Sequence, residues 1–357
     1  MSDLLASLNE IKNQKPTGYW SDRILAELEY ISRLSNVKKN QFEKTIQVVI
    51  KALSANLAEE GVISKTACLD AEKQLAKLSK EAKSFSMICA AHAHIDMNWM
   101  WSWDETVSIT IDTFRTMLNL MKEYPEYKFS QSQASVYAII EEYAPDMLKE
   151  IKKYVKEGRW EVTASHWVGA DKNMPSGESF ARHLLYTKRY LSELLDINPE
   201  TLNIDFEPDT FGHTLNVPEI LAEGGVKYYY HCRGYEDHHL YRWVAPSGSA
   251  VTVYREPIWY NATIEPVMTA QIPEFCIKNG LTTMLKVYGV GDHGGGPTRR
   301  DIERIKDMNT WPIFQISPMC CAMHCSPIYP KLKTVSLPGK IFRRRITTSW
   351  LPFWATL

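Results

Sequence analysis

Neither sign of charge dominates this sequence of 357 residues, which has 41 Lys and Arg against 42 Asp and Glu. Nucleic acids and acidic membrane surfaces attract proteins through an excess of basic residues, and this chain has no such excess. We therefore expect a neutral ligand and no nucleic-acid partner.

Long apolar runs are also absent, since no stretch reaches the roughly 18 apolar residues of a membrane span. The opening residues, MSDLLASLNEIKNQ, lack the basic and apolar regions of a signal peptide. The 7 cysteines are odd in number and irregularly spaced, which indicates reduced thiols rather than a disulfide framework. We predict a cytoplasmic protein without a membrane partner, and the sequence leaves a homo-oligomer open.

The hydrophobic pattern predicts two structural parts. Residues 1–84 show helical spacing of apolar positions, such as Leu4, Leu8 and Ile11, and no strand pattern. Residues 85–312 alternate short apolar runs with amphipathic helices, which is typical of an α/β domain with a mostly parallel sheet. We predict an N-terminal helical module followed by this α/β domain.

The predicted strands of the α/β domain cover 86–92, 127–131, 160–164, 202–206, 227–231, 250–254 and 284–290. The predicted helices cover 105–122, 135–157, 177–195, 217–223 and 298–308. Asp104, Ser176 and Thr298 are the expected N-caps.

The last segment, residues 313–357, differs from the rest of the chain. Asp307 is the final acidic residue, and hydrophobic periodicity disappears after it. We predict an atypical tail, out of frame or disordered, that is foreign to the fold. A zinc site is the alternative interpretation, although the spacing lacks the second C-x₂-C pair of structural zinc sites. Its candidate ligands are Cys320, Cys321, His324 and Cys325.

A metal-binding pattern follows the first predicted strand. His92, His94 and Asp96 occupy alternate positions, so their side chains should leave the strand in the same direction. Imidazole and carboxylate together suit zinc, with other divalent metals as alternatives. The competing interpretation is that these histidines only hydrogen-bond the loop.

Three carboxylates, Asp205, Glu207 and Asp209, lie within five residues at the end of the fourth predicted strand. Carboxylates this close repel one another and raise each other's pKa, so a nearby cation is expected. For Asp205 we favour a supporting role. Two more polar loops, 171–173 and 291–296, follow the third and last strands, and ligands bind beyond the carboxyl ends of such strands. We expect these loops to form one site.

Several stretches together resemble glycoside hydrolase family 38, the retaining α-mannosidases. They are HAHIDMNW (92–99), EPDTFGH (207–213), GRWEVTASHWVGADKNMPSGES (158–179), REPIWYN (255–261) and GDHGGGPTRRD (291–301). The resemblance implies that the α/β domain is catalytic and barrel-like, with seven parallel strands and one Zn²⁺ per chain. It also implies a substrate with terminal α-linked mannose, an oligosaccharide or glycan, hydrolysed with retention.

The same resemblance assigns residue roles. It implies that His94, Asp96 and Asp209 bind the metal and that Asp209 is also the nucleophile. A further family ligand is a histidine far downstream, so we expect the chain to be incomplete. Trp99 and Tyr260 are expected to contact the sugar, and the substrate-binding residue Arg233 to steady Asp209. The competing interpretation is that Trp99 and Tyr260 are core aromatics and that Arg233 is a surface arginine.

Retention requires two carboxyl groups about 5–5.5 Å apart, one attacking and one acting as acid and then base. We choose Asp292 as the acid/base, because it ends the last strand before the glycines of 294–296. Asp171 or a residue beyond this chain is the alternative, and Asp292 would then be a turn residue. Gly169 departs from the family pattern, in which an acidic residue is common, and this puts one polar contact in doubt.

Two other functions compete with this interpretation. The H-x-H-x-D pattern also occurs in metal-dependent amidohydrolases and deacetylases, but that function does not account for EPDTFGH. The second competitor is an inactive, truncated fragment.

Overall fold

A computed structural model of the chain describes residues 3–235 and 238–319. The helices are α1 (Asp3–Asn13), α2 (Tyr19–Val37), α3 (Glu43–Glu60), α4 (Lys65–Leu75), α5 (Ser79–Ala82), α6 (Trp103–Glu123), α7 (Ala134–Tyr143), α8 (Asp146–Lys156), α9 (Gly177–Leu195), α10 (Val217–Glu223), α11 (Ile272–Asn279) and α12 (Arg299–Met308). The strands are β1 (Ser86–Ala91), β2 (Phe129–Gln131), β3 (Trp160–Val162), β4 (Ile204–Glu207), β5 (Tyr228–His231), β6 (Leu240–Val244), β7 (Ala250–Arg255), β8 (Thr283–Tyr288) and β9 (Ile316–Met319).

The N-terminal part is helical, and no strand lies among the described residues before Ser86. Its apolar residues, such as Leu8 and Ile31, belong to the same hydrophobic core as the buried residues of β1 and β8. Arg33 on α2 also pairs with Glu274 on α11 at 2.8 Å. The helices α1–α5 therefore pack directly on the α/β part.

The strands form three sheets, ordered β8-β1-β9, β2-β3 and β4-β5-β7-β6. Every pairing is parallel except that of β6 with β7. A single parallel bridge between His92 and Ser130 connects the end of β1 to β2. This confirms a mixed α/β fold with mostly parallel sheets. Within the described ranges no ladder joins β3 to β4, so a closed seven-stranded barrel is not formed there.

The predicted strands are all present, but two other expectations fail and three elements were not predicted. The predicted helix 135–157 is two helices, α7 and α8, because Pro145 lacks an N–H and the chain bends before it. The N-cap of α6 is Ser102 rather than Asp104, and its hydroxyl accepts from Glu105 N. The strands β6 and β9 and the helix α11 were not predicted from the sequence.

The α/β part continues past the expected boundary at residue 312. Ile313, Phe314 and Ile316 are almost completely buried, and β9 pairs in parallel with β1. The described fold therefore runs to Met319. The remaining residues, with Cys320, Cys321, His324 and Cys325, lie outside the described part of the chain.

No helix in the described ranges is long and apolar enough to cross a membrane.

Candidate functional site

The site lies at the carboxyl ends of β1, β3, β4 and β8, where the loops of parallel strands converge. The loops after β1, β3 and β4, with Gln133 after β2, surround an open pocket of about 720 Å³, and the loop after β8 reaches the same rim through Asp292. Its lining residues are His94, Ile95, Asp96, Met97, Trp99, Gln133, Val168, Gly169, Ala170, Asp171, Glu207, Asp209, Thr210 and Phe211. The polar loops that the sequence predicted to meet do meet here.

Three potential metal ligands converge at this rim, namely His94, Asp96 and Asp292, whose ligand atoms lie within 4.8 Å of one another. His94 Nε2 lies 3.0 Å from Asp96 Oδ1, and the backbone N–H of Asp96 donates to the carbonyl of Asp292 at 2.8 Å. One imidazole nitrogen and two carboxylates are a donor set that fits zinc, and His94 Nδ1 is buried without a hydrogen-bond partner. Asp209, a predicted ligand, is outside this trio but lines the pocket together with His94 and Asp96.

His92 does not join the site, although the sequence pattern grouped it with His94 and Asp96. Its Nδ1–H donates to the carbonyl of Ser130 at 3.0 Å, and its ring packs on Phe206. Burial, assisted by His94, lowers the pKa of His92 to about 3, so the ring is neutral. Its observed role is to hold the end of β1 against β2.

The Asp209 carboxylate is bound by Arg233. Nε and Nη2 of Arg233 lie 2.6 and 2.5 Å from Asp209 Oδ1. The guanidinium is itself enclosed by two rings, with centroids 4.4 Å away for Phe211 and 5.0 Å away for Trp259. The pairing of Arg233 with Asp209, expected from the sequence, is therefore present.

Asp292 accepts two hydrogen bonds, from Tyr260 Oη at 2.7 Å and from Asn261 Nδ2 at 3.0 Å. Its φ of 69° lies in the left-handed region, which costs a non-glycine residue free energy. Burial, the hydrogen bond to Asp292 and the proximity of Asp209 together raise the pKa of Tyr260. Tyr260 thus connects the two predicted catalytic carboxylates.

Trp99, the third predicted substrate-binding residue, lies at the pocket edge with 67% of its surface exposed. Its ring meets Trp101 edge to face at 6.0 Å. An exposed indole beside a polar pocket offers an apolar face to a ligand.

A buried ion-pair cluster lies behind Asp209 and was missed by the sequence analysis. Lys172 Nζ lies 2.8 Å from Asp205 Oδ2 and 2.6 Å from Glu207 Oε1, while His166 Nδ1 lies 3.0 Å from Asp205 Oδ1. Burial raises the pKa of Asp205, but Lys172 and His166 outweigh it and hold the pKa below its usual value. The crowding of three carboxylates in the sequence predicted a nearby cation. In the structure the cation of Asp205 and Glu207 is Lys172, and that of Asp209 is Arg233.

Comparison with known proteins points to one family. The sequence profile of the glycosyl hydrolases family 38 N-terminal domain matches residues 84–322. The chain is 32% identical over 223 residues to Alpha-mannosidase G of Dictyostelium discoideum, covering 60% of this chain and 20% of that protein. It is 28% identical over 228 residues to Alpha-mannosidase 2C1 of Homo sapiens, covering 61% of this chain and 21% of that protein.

A solved structure is also similar, that of an alpha-mannosidase from Enterococcus faecalis V583, with a TM-score of 0.61 at 16% identity. The match covers 72% of this chain and 30% of that one. At this identity the likeness concerns the fold alone. The chain spans about a fifth of the length of the curated relatives described above.

Proposed function

Because this chain belongs to glycosyl hydrolase family 38, we propose that it carries the metal-binding part of a zinc-dependent, retaining α-mannosidase. The observation that carries the proposal is the convergence of His94, Asp96 and Asp292 beside the Asp209–Arg233 pair at one strand edge. The proposed substrates are oligosaccharides or glycans with terminal α-linked mannose.

We assign the metal to His94, Asp96 and Asp209. Arg233 binds Oδ1 of Asp209, so Oδ2 is the oxygen assigned to the metal. The position of Asp292 within 4.8 Å of the ligand atoms of His94 and Asp96 also supports a strongly anionic cation site. When bound, zinc would supply a Lewis acid that holds neighbouring sugar hydroxyls and favours ring distortion.

The protein's own groups divide the chemistry between two carboxylates. Asp209 attacks the anomeric carbon, and Arg233 fixes the orientation of its carboxylate. Asp292 protonates the departing glycosidic oxygen and then removes a proton from water. Tyr260, which donates to Asp292 and lies beside Asp209, keeps the pair in one arrangement. Trp99 offers aromatic surface to the sugar, whereas Tyr260 is only 3% exposed, so its part is to hold Asp292 in place.

Two structural expectations accompany this function. We propose that the three sheets are parts of a seven-stranded barrel-like arrangement, which the parallel pairings and the His92–Ser130 bridge support. We also propose a cytoplasmic location, in line with the unpaired thiols of four described cysteines: Cys68, Cys89, Cys232 and Cys276.

A metal-dependent amidohydrolase or deacetylase is not favoured, because that function leaves the Asp209–Arg233 pair without a purpose. The experiment compares mannose release from an aryl α-mannoside with acetate or amine release from acyl substrates, with and without added zinc. Zinc-dependent mannose release supports the proposal. Acyl hydrolysis alone would favour the alternative, and activity on neither substrate would favour an inactive fragment.

A further inference from the structure

A buried ammonium group lies behind the loop that carries Asp209. Lys172 is only 3% exposed, and Asp205 and Glu207, the two carboxylates facing its Nζ at 2.8 and 2.6 Å, are buried as well. Burying an ammonium is costly unless carboxylates surround it. Burial lowers the pKa of Lys172, but the two carboxylates outweigh it and raise the pKa above its usual value, so the amine stays charged.

This cluster is distinct from the metal trio. His166, Asp205 and Glu207 could hold an ion by their spacing, but the ammonium of Lys172 already lies between the two carboxylates. Lys172 does not line the pocket that contains Asp209. It lines a separate cavity on the other side of the loop, together with Phe180.

Lys172 is connected to the chain on both sides of Asp209. Its backbone N–H donates to the carbonyl of Gly212 at 3.2 Å. Its partner Glu207 accepts a hydrogen bond from the Thr210 hydroxyl. The two loops are in such close contact that a Cβ at Gly212 would lie 1.9 Å from Asp171 Oδ1. Loop 171–173 therefore restrains the backbone of residues 205–212 through Lys172.

We propose that Lys172 is a positioning residue for Asp209. With Asp205 and Glu207 it fixes the loop that aims the Asp209 carboxylate, and it does so without contacting the substrate. The inference rests on the proposed function only in that Asp209 is taken as the nucleophile. Without the ammonium, two buried carboxylates would repel each other, and Glu207 would no longer hold Thr210 in place.

The test uses the Lys172→Met variant of the full chain, which removes the charge but keeps most of the side-chain volume. Lys188→Met is the matched control, because Lys188 is a partly buried lysine on α9, outside the cluster. Two quantities are measured: kcat and KM on an aryl α-mannoside with zinc, and hydrogen–deuterium exchange of residues 207–213. Lys172→Met should lower kcat by about 10- to 100-fold, as expected when a reacting group is misplaced, with KM unchanged. Exchange in 207–213 should accelerate, and the control should match the parent in both measurements.

The double variant Lys172→Met/Glu207→Gln restores the net charge of the cluster and keeps an acceptor for Thr210. The double variant should recover part of the lost kcat. If Lys172→Met does not fold but the double variant does, that result would also support the role of Lys172 as a countercharge. Equal kcat and exchange in Lys172→Met and the control would overturn the proposal. Failure of both the single and double variants to fold would assign the cluster to stability alone and overturn it too. If the parent chain releases no mannose, the proposed function fails, whereas the exchange measurement still decides the role of Lys172.

Discussion

The orientation of Asp209 is set by a small group of side chains around Arg233. His213 Nε2–H and His231 Nδ1–H both donate to the Arg233 carbonyl, at 3.1 and 2.7 Å. The guanidinium then binds one oxygen of Asp209 between the rings of Phe211 and Trp259. A carboxylate fixed in this way is preorganised for attack on a carbon in the pocket.

The substitution Asp209→Asn tests this residue directly. The amide keeps the side-chain shape but is a poor nucleophile, so we expect kcat to fall by about 10³-fold or more. Asp146→Asn is the control, because Asp146 is an exposed partner of Arg115 far from the pocket. Near-normal turnover in Asp209→Asn would contradict the nucleophile assignment, provided circular dichroism shows an unchanged fold.

His94→Ala tests the proposed metal site of His94, Asp96 and Asp209. Loss of its imidazole should weaken zinc binding by about 100-fold or more, and high zinc should restore part of the activity, because carboxylate ligands remain. Titration calorimetry with zinc measures the affinity. His239→Ala is the control, since His239 contacts the carbonyl of Arg255 outside the site. Unchanged zinc affinity in His94→Ala would mean that His94 does not bind the metal.

At the residue scale, the site residues that could be predicted from the sequence are those that directly follow strands. His94, Asp96, Asp209 and Asp292 follow strand ends, where period-two alternation and parallel pairing bring side chains to one rim. Lys172 was not predicted, because the pairing of a lysine with carboxylates on another loop depends on tertiary packing. The crowded carboxylates indicated that a cation lies nearby, but the sequence did not show that this cation is Lys172.

At the element scale, the close approach of β8 to β1 shapes the rim. Gly289 follows β8 with φ 135°, and a Cβ there would lie 2.1 Å from the carbonyl oxygen of His92. The sequence predicted both strands because buried parallel strands are continuous apolar runs. The strand β6, which pairs antiparallel with β7 at a sheet edge, was not predicted. The helical spacing of apolar residues also continues across Pro145, so one helix was predicted where two are present.

Gly289→Ala should destabilise the protein more than Gly248→Ala, which also replaces a glycine with a positive φ. Gly248 also has positive φ, 94°, but has nothing within 4 Å of an added Cβ. Gly248→Ala should cost about 1 kcal/mol from strain, and Gly289→Ala about 3 kcal/mol or more, because overlap with backbone is added. Urea unfolding measures both. Equal losses would mean that β1 and β8 are farther apart at this end than described.

For the whole molecule, helical and α/β parts share one core, and this could be predicted only in outline. Hydrophobic periodicity separated residues 1–84 from the sheet region, but it does not show which surfaces meet. The end of the fold was also placed too early, because the loss of acidic residues after Asp307 concealed the buried Ile313, Phe314 and Ile316. The amino-acid composition of a short segment does not show whether that segment is buried.

Global stability should depend on the protonation of His213. Burial lowers its pKa to about 4, against about 6.5 in the unfolded chain. The depressed pKa contributes stability that is fully present above pH 6.5 and is lost as the pH falls towards 4. The total is about 3 kcal/mol. His213→Gln, which can still donate to the Arg233 carbonyl, should show a smaller loss of unfolding free energy between pH 6.5 and 4. Identical pH dependence in parent and variant would contradict a buried neutral imidazole.

The central claim is that Asp209 and Asp292 perform retaining hydrolysis of an α-mannoside at a zinc site. The most direct measurement follows the first-formed anomer by proton NMR while the zinc-loaded chain hydrolyses an aryl α-mannoside. Two displacements at the anomeric carbon return its original configuration, so the account predicts α-mannose first, with β-mannose appearing only by mutarotation. β-Mannose as the initial product, or equal release after zinc removal, would contradict it.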